Sequence, residues 1–233
     1  MLAAMVRECW RYPVKSMLGE RCERMCLDQR GVIGDRLYAV RDAAGKFGSG
    51  KTTRRFRRID GLLRFRAVYD GAVPLLTFPD GTAIRGDDPA IHLALSTHLQ
   101  MPVTLSREAE ISHFDAGPLH LVTTASLRTL SEALAEGPLD RRRFRPNILI
   151  ETEAIGFPED AWHGQDLAIG TDVRLHVAGR TERCVMVSLA QDELPYDPRI
   201  LKTVARENAV CLGVYAEALT PGVIHIGDSI QIL

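Results

Sequence analysis

The chain has 233 residues, is 45% hydrophobic and 25% charged, and carries a formal net charge of -1. Such totals describe an ordinary globular protein with enough residues for one large β domain or two lobes sharing an interface. They exclude a nucleic-acid partner held by bulk charge, and no apolar stretch approaches the ~20 residues of a membrane helix. The apolar start is cut short by Arg7 and Glu8, so no secretory leader is expected. Five cysteines without such a leader predict reduced thiols and a cytoplasmic location, away from any membrane.

In chain order, strands are expected at 4–9 and 20–28 around a turn at 13–19. The turn holds Tyr12-Pro13-Val14-Lys15-Ser16, which offers an ammonium and a hydroxyl to an anion, although such pairs are common on surfaces. Cys22 and Cys26 lie four apart on one expected strand face. With no second ligand pair nearby, both read as core. Gly34-Asp35-Arg36 leads into a strand at 37–40, a turn at 42–45 and a return through Lys46-Phe47, which is a hairpin pattern.

Gly45-Lys46-Phe47-Gly48-Ser49-Gly50-Lys51-Thr52 then fits the phosphate-loop pattern G-x-x-x-x-G-K-[ST]. That loop needs a helix opening at its Lys-Thr and a βαβ sheet around it. Residues 52–61 have few apolar positions and soon reach Gly61, and short strands follow at 62–69, 73–78 and 82–85. A glycine-rich hairpin loop presenting basic side chains fits this context better than a nucleotide site. Lys51, Arg54, Arg55, Arg57 and Arg58 make one basic cluster, and Arg141, Arg142, Arg143 and Arg145 make another. Each is open to reading as an anion site or as a solvated face.

Asp88-Pro89 reads as a helix start, with the helix reaching about 98–99 and burying Ile91, Leu95 and Leu99. A short strand at 103–105 precedes a polar, irregular stretch at 106–118, the expected seam between two halves. At 120–127 a strand gives way to a helix that carries Leu127, Leu130 and Leu134 on one face. Hydroxyls at such a start, Thr124 and Ser126, serve either as ordinary caps or as an anion site. Arg145 and Asn147 flank Pro146 at the mouth of a strand, where a planar fork and an amide can recognise an anionic or heterocyclic ligand. Trp162 reads as packing. Further strands are expected at 166–169, 173–178 and 212–216, a helix at 197–208, and two closing strands around Gly227-Asp228.

Between these lies Thr181-Glu182-Arg183-Cys184-Val185-Met186-Val187-Ser188. The apolar run from Cys184 reads as a buried strand. Alone, Cys184 reads as a small core residue. A thiol at a strand lip beside a cation is also placed to be a thiolate, a soft metal ligand and nucleophile. Many short strands with three inserted helices predict a mainly β, β-barrel-centred fold, α+β overall.

Taken together, Tyr12-Pro13-Val14-Lys15-Ser16, Gly34-Asp35-Arg36, Arg143-Phe144-Arg145-Pro146-Asn147-Ile148, Arg183-Cys184 and the closing Pro221-Gly222-Val223-Ile224-His225-Ile226-Gly227-Asp228 resemble the MOSC family. The family is named after the C-terminal domain of molybdenum cofactor sulfurase, and the resemblance includes the N-terminal β-barrel domain found in its amidoxime-reducing members. It implies an N-terminal barrel-type lobe at 1–110 and a MOSC domain at 111–233. Thr52-Thr53-Arg54 matches a Thr-x-Arg element that follows a hairpin in relatives.

The resemblance further implies the molybdenum cofactor, a molybdopterin, lying in a basic cleft between the lobes with Cys184 as metal ligand. Lys15, Ser16 and Arg36 would hold the terminal phosphate. Arg145 and Asn147 would hold the phosphate or pterin side, with Thr124 and Ser126 nearby, and Tyr215 would line the metal site. The implied activity is reduction of a small N-hydroxylated or N-oxygenated substrate, with electrons from a separate flavin, iron–sulfur or haem protein. The alternative is a cofactor or persulfide carrier without turnover. One departure is Glu182, where amidoxime-reducing relatives have a small hydroxyl residue.

Overall fold

The structure, a computed structural model, describes residues 4–134 and 139–233. Among these residues the fold is mainly β with three helices, α+β overall. Seven strands close into a barrel in the order Ile148–Thr152, Leu119–Thr123, Cys211–Ala218, Val173–Glu182, Asp166–Ile169, Ser229–Ile232 and Ala4–Arg11, and the last pairs back to the first. Closure leaves no open edge. Alternation sets the inside. Val173, Leu175 and Val177 are fully buried while Arg174 and His176 between them are not, as the two-residue period of a strand requires.

One barrel contact is parallel, between Leu119–Thr123 and Ile148–Thr152. Parallel neighbours need a long crossover, and helix α2 (Thr124–Leu134) supplies part of it. Helix α3 (Arg199–Asn208) packs with α2 around Leu130, Phe144, Val187, Ile200, Val204 and Leu212.

A second core fills the N-terminal half. Strands Val103–Arg107, Tyr38–Asp42, Phe47–Ser49 and Phe56–Arg58 form one sheet, and Ala83–Arg85, Val73–Thr77 and Arg66–Asp70 form another. Helix α1 (Ala90–Leu99) buries Ile91 and Leu95 against them. The first strand, however, belongs to the C-terminal barrel, and Arg24–Asp28 pairs with Gly222–His225 there. The chain crosses from one core to the other through the Tyr12–Leu18 turn. Val14 bridges to Tyr38 and Leu18 to Arg66, both on the N-terminal side.

As the sequence context suggests, no helix opens at Lys51-Thr52; the chain runs on to Phe56–Arg58, which lies parallel to Phe47–Ser49, so no phosphate loop forms. Other expectations are corrected. The stretch 62–69 is split into a helical turn, Leu62–Arg64, entered from Gly61 at φ 89°, and a strand, Arg66–Asp70, with Phe65 extended between them. Residues 184–188 are not a strand. Register shifts against Cys211–Ala218 end the pairing at Glu182, and Val185–Ser188 is a helical turn. A short apolar run cannot be assigned by periodicity alone. Cys22 and Cys26 sit on separate strands, with Cys22 half-buried and Cys26 exposed. The buried thiol is Cys9, opposite Cys22. Among the described residues no helix is long and apolar enough to cross a membrane.

Candidate functional site

The crossover turn, the end of the 141–144 helical turn and the end of Val173–Glu182 converge on one cleft. Lys15, Ser16, Arg36, Arg145, Cys184 and Tyr215 all line it. Three of its residues have positive φ without being glycine: Ser16 at 63°, Arg36 at 50° and Arg145 at 54°. Left-handed backbone costs a non-glycine residue about 1–2 kcal/mol, and such strain gathers where a site must present particular atoms. Here each kink turns a polar residue toward the same space.

Most of these groups are poorly solvated. Lys15 is only 2% exposed. Its Nζ donates to the His113 carbonyl at 2.9 Å and pairs with Asp115 Oδ1 at 3.0 Å. Burial pushes its ammonium down to about 8. The Arg145 guanidinium, 4.2 Å from the Tyr12 ring centroid, is pushed down to about 10 by burial. Arg36 stands over Tyr12 as well, at 5.1 Å, and pairs with the buried Asp35 carboxylate. Between the two cations, burial raises the Tyr12 phenol to about 12.

Arg183 approaches from the other side. Its Nη2 donates to the Phe144 carbonyl at 2.9 Å, and Nη1 lies 3.3 Å from His120 Nε2. Burial, then the Arg183 charge, holds His120 well below its usual range, so this imidazole is neutral. Gly213 leaves it room. With φ 77°, a Cβ there would lie 2.6 Å from His120 Nε2 and 2.4 Å from the Leu121 carbonyl oxygen.

Among the described residues, two donors in this cluster, Arg145 Nη2 and Arg183 Nε, are buried without a hydrogen-bond partner. An unsatisfied buried donor on a charged group is costly, so the cleft is built to receive acceptors on an anion. Cys184 faces the same space with Glu182, which is exposed at the rim and paired in register with Cys211. Met186 closes one side, its sulfur accepting from the Gly50 N–H at 3.1 Å. The donor set suits a group combining a phosphate or similar anion with a thiophilic metal.

Asn147 is not on the cleft surface but directly behind it. Its Oδ1 accepts from Arg36 Nη1 at 3.3 Å and from the His120 N–H at 3.1 Å, while Nδ2 donates to the Trp10 carbonyl at 3.2 Å. Thr124 and Ser126 are not brought to the cleft. They lie at the far end of the strand that carries His120. Thr124 Oγ1 donates to the Thr152 carbonyl, and Ser126 is buried in a network with Thr123 and Glu159. Sequence reasoning missed His120, Asp115 and Met186. A polar His inside the apolar run Leu119-His120-Leu121-Val122 was a usable signal. Asp115, in the irregular stretch, offered none. Lys51 lines the cleft, at the place where the sequence mimics a phosphate loop.

Among the described residues no three His, Cys, Asp or Glu side chains gather as a metal site, so the thiol of Cys184 stands as a single candidate ligand. The family described as MOSC domain matches residues 108–231, and that described as MOSC N-terminal beta barrel domain matches residues 3–106. The chain is similar to mitochondrial amidoxime-reducing component 1 of Mus musculus, 23% identical over 98% of this chain and 82% of the relative. It is 27% identical to the molybdenum cofactor sulfurase of Drosophila mojavensis over 86% of this chain, and it spans 25% of that longer protein. The solved structure of the YUAD protein from Bacillus subtilis is similar over all of this chain and 98% of its own, with a TM-score of 0.56 at 13% identity, a likeness of fold.

Proposed function

The chain belongs to the MOSC-domain family, and on that premise we propose that it binds a molybdenum cofactor and reduces N-hydroxylated or related N-oxygenated compounds. The observation that carries this reading is the pair of buried, unpartnered guanidinium donors on Arg145 and Arg183 in the cleft that holds Cys184. When bound, the cofactor supplies a metal that takes up oxygen and exchanges electrons in pairs.

The chain's own residues do the rest. Cys184 provides the protein thiolate to the metal. Lys15, Arg36, Arg145 and Arg183 balance the anionic charge of the phosphate and pterin, and Ser16 adds a hydroxyl. Asn147 fixes Arg36 from behind, so it positions rather than binds. Tyr215, tilted against His120 with ring centroids 5.6 Å apart, forms a wall of the metal end. Glu182 places a carboxylate at the rim, where an incoming hydroxylamine and its protons pass.

Net turnover takes a hydroxylamine, two electrons and two protons to an amine and water, with the N–O bond broken. The five cysteines are dispersed over the chain, without iron–sulfur spacing. The electrons come from a separate flavin, iron–sulfur or haem protein. The test is metal content after expression in a host that makes the cofactor. We expect molybdenum and pterin in the wild type and loss of most of the molybdenum in Cys184→Ala. Metal-free wild type, or an unchanged load in the variant, overturns the reading. Bound cofactor without turnover of any N-oxygenated compound would turn it toward a cofactor carrier, and a sulfur-sized mass adduct on Cys184 toward a sulfur carrier.

A further inference from the structure

A second hollow opens on the far side of Met186. Gly50, Ile59, Leu63, Leu189 and Tyr196 line it, and Ser16 and Met186 line both spaces. The two differ in chemistry. The cleft presents ammonium, guanidinium and thiol groups, whereas most of the hollow's lining is hydrocarbon, with the exposed Asp60 and Arg64 also on it. Its volume is about 250 Å³, and a dry apolar cavity of roughly 150 Å³ already holds a benzene ring.

The partition between the two is thin, and the glycine-rich stretch makes it so. A Cβ on Gly50 would lie 2.4 Å from Met186 Sδ and 2.3 Å from Leu189 Cδ1. Without one, Met186 and Leu189 close directly on the backbone. The phosphate-loop lookalike therefore has a physical role with no nucleotide in it. A methionine thioether turns about three bonds and adapts its shape to what lies against it, which suits a side chain standing between a polar cleft and an apolar hollow.

We propose that this hollow receives the apolar body of the substrate, so that the protein selects N-oxygenated compounds carrying an aromatic or branched aliphatic group over small hydrophilic ones. The occupant follows from continuity. A molecule whose N–O end lies beside Cys184 has Met186 and Ser16 on its flank, and both also border the hollow. The placement of the N–O end rests on the reductase reading. The preference for hydrocarbon belongs to the hollow itself.

The experiment titrates the purified full chain with N-phenylhydroxylamine and N-methylhydroxylamine by ligand-observed NMR, and repeats this with Leu189→Glu and Tyr196→Ala. Tyr196 is 58% exposed, so its truncation keeps the fold even if a charge at 189 does not. We expect the phenyl compound to bind about tenfold more tightly or better, in line with what apolar pockets discriminate, and each variant to remove most of that preference. Equal binding of the two probes, or a preference untouched in both variants, overturns the proposal. Molybdenum content separates it from the reading it rests on. Metal-free protein that still prefers the phenyl compound removes the reductase reading and leaves the hollow. Loaded protein that turns over without the preference removes the hollow alone.

Discussion

At the scale of single residues, Asn147 carries more than its place behind the cleft suggests. It is fully buried, and its amide ties together Arg36, the backbone of His120 and the backbone of Trp10. Its main chain joins the same two segments, accepting from the Trp10 N–H and donating to the His120 carbonyl. Removing the side chain leaves the buried His120 N–H and the partly buried Trp10 carbonyl without that partner, at about 1–3 kcal/mol for each buried group left unsatisfied. We expect Asn147→Ala to lower the urea unfolding free energy by about 2–4 kcal/mol on that basis and to loosen Arg36. An unchanged unfolding midpoint would show that the amide is not the tie described. Cys184 differs in kind: it is half-buried, so its worth is chemical, and Cys184→Ala tests metal and not folding.

At the scale of elements, the strand Cys211–Ala218 is shaped by one glycine. Gly213 takes φ 77° inside a strand, a conformation that strains any L side chain. Its missing Cβ also leaves space for the Leu121 carbonyl and the His120 ring. Gly213→Ala would meet backbone, which cannot rotate away. We expect it to cost at least about 2 kcal/mol, more than an ordinary glycine replacement at positive φ, and to displace His120. A thermal scan gives the first, and the His120 ring resonances give the second. A variant as stable as wild type with those resonances in place would contradict the close approach. The neighbouring strand Val173–Glu182 makes a related point: its register shifts deliver Arg183 and Cys184 to the cleft rather than to another rung of the barrel.

At the scale of the whole molecule, two neutral imidazoles are built into the polar interior. Burial pushes His113 down to about 4 and His120 well below its usual range. A folded-state value below the unfolded one means that the unfolded chain binds more protons in the window between them. The stability each contributes is therefore full above about pH 6.5 and is lost as pH falls toward the folded value. From pH 7.5 to 5.5 we expect a loss of about 1 kcal/mol from His113 alone, by the same linkage. Urea midpoints across that range measure it, and a flat profile would refute it. Lys15 works in the opposite range. Depressed to about 8, it gives up its proton on mild alkalisation, so the cleft is most cationic below that value.

Much of the fold was legible in the sequence. Alternation in Val173-Arg174-Leu175-His176-Val177, the start at Asp88-Pro89 and the closing strands around Gly227-Asp228 follow from local sterics and two-faced burial, and they stand where the sequence puts them. Chemistry-bearing types were legible only in combination: a lysine-serine turn is common by itself, and it gains meaning beside Gly34-Asp35-Arg36, Arg145-Pro146-Asn147 and Arg183-Cys184 in one chain. The sequence alone determined a β-rich fold and candidates for a basic, thiol-bearing site. Tertiary structure decided which candidates meet. It brought Lys15, Arg36, Arg145, Cys184 and Tyr215 to one cleft and set Asn147 behind them. It sent Thr124 and Ser126 to the far end of a strand and ended the run at Cys184 in a helical turn. The reason is physical. Local patterns fix backbone periodicity over a few residues, whereas a cleft is made where two hydrophobic cores abut, and its members lie up to 200 residues apart, from Lys15 to Tyr215.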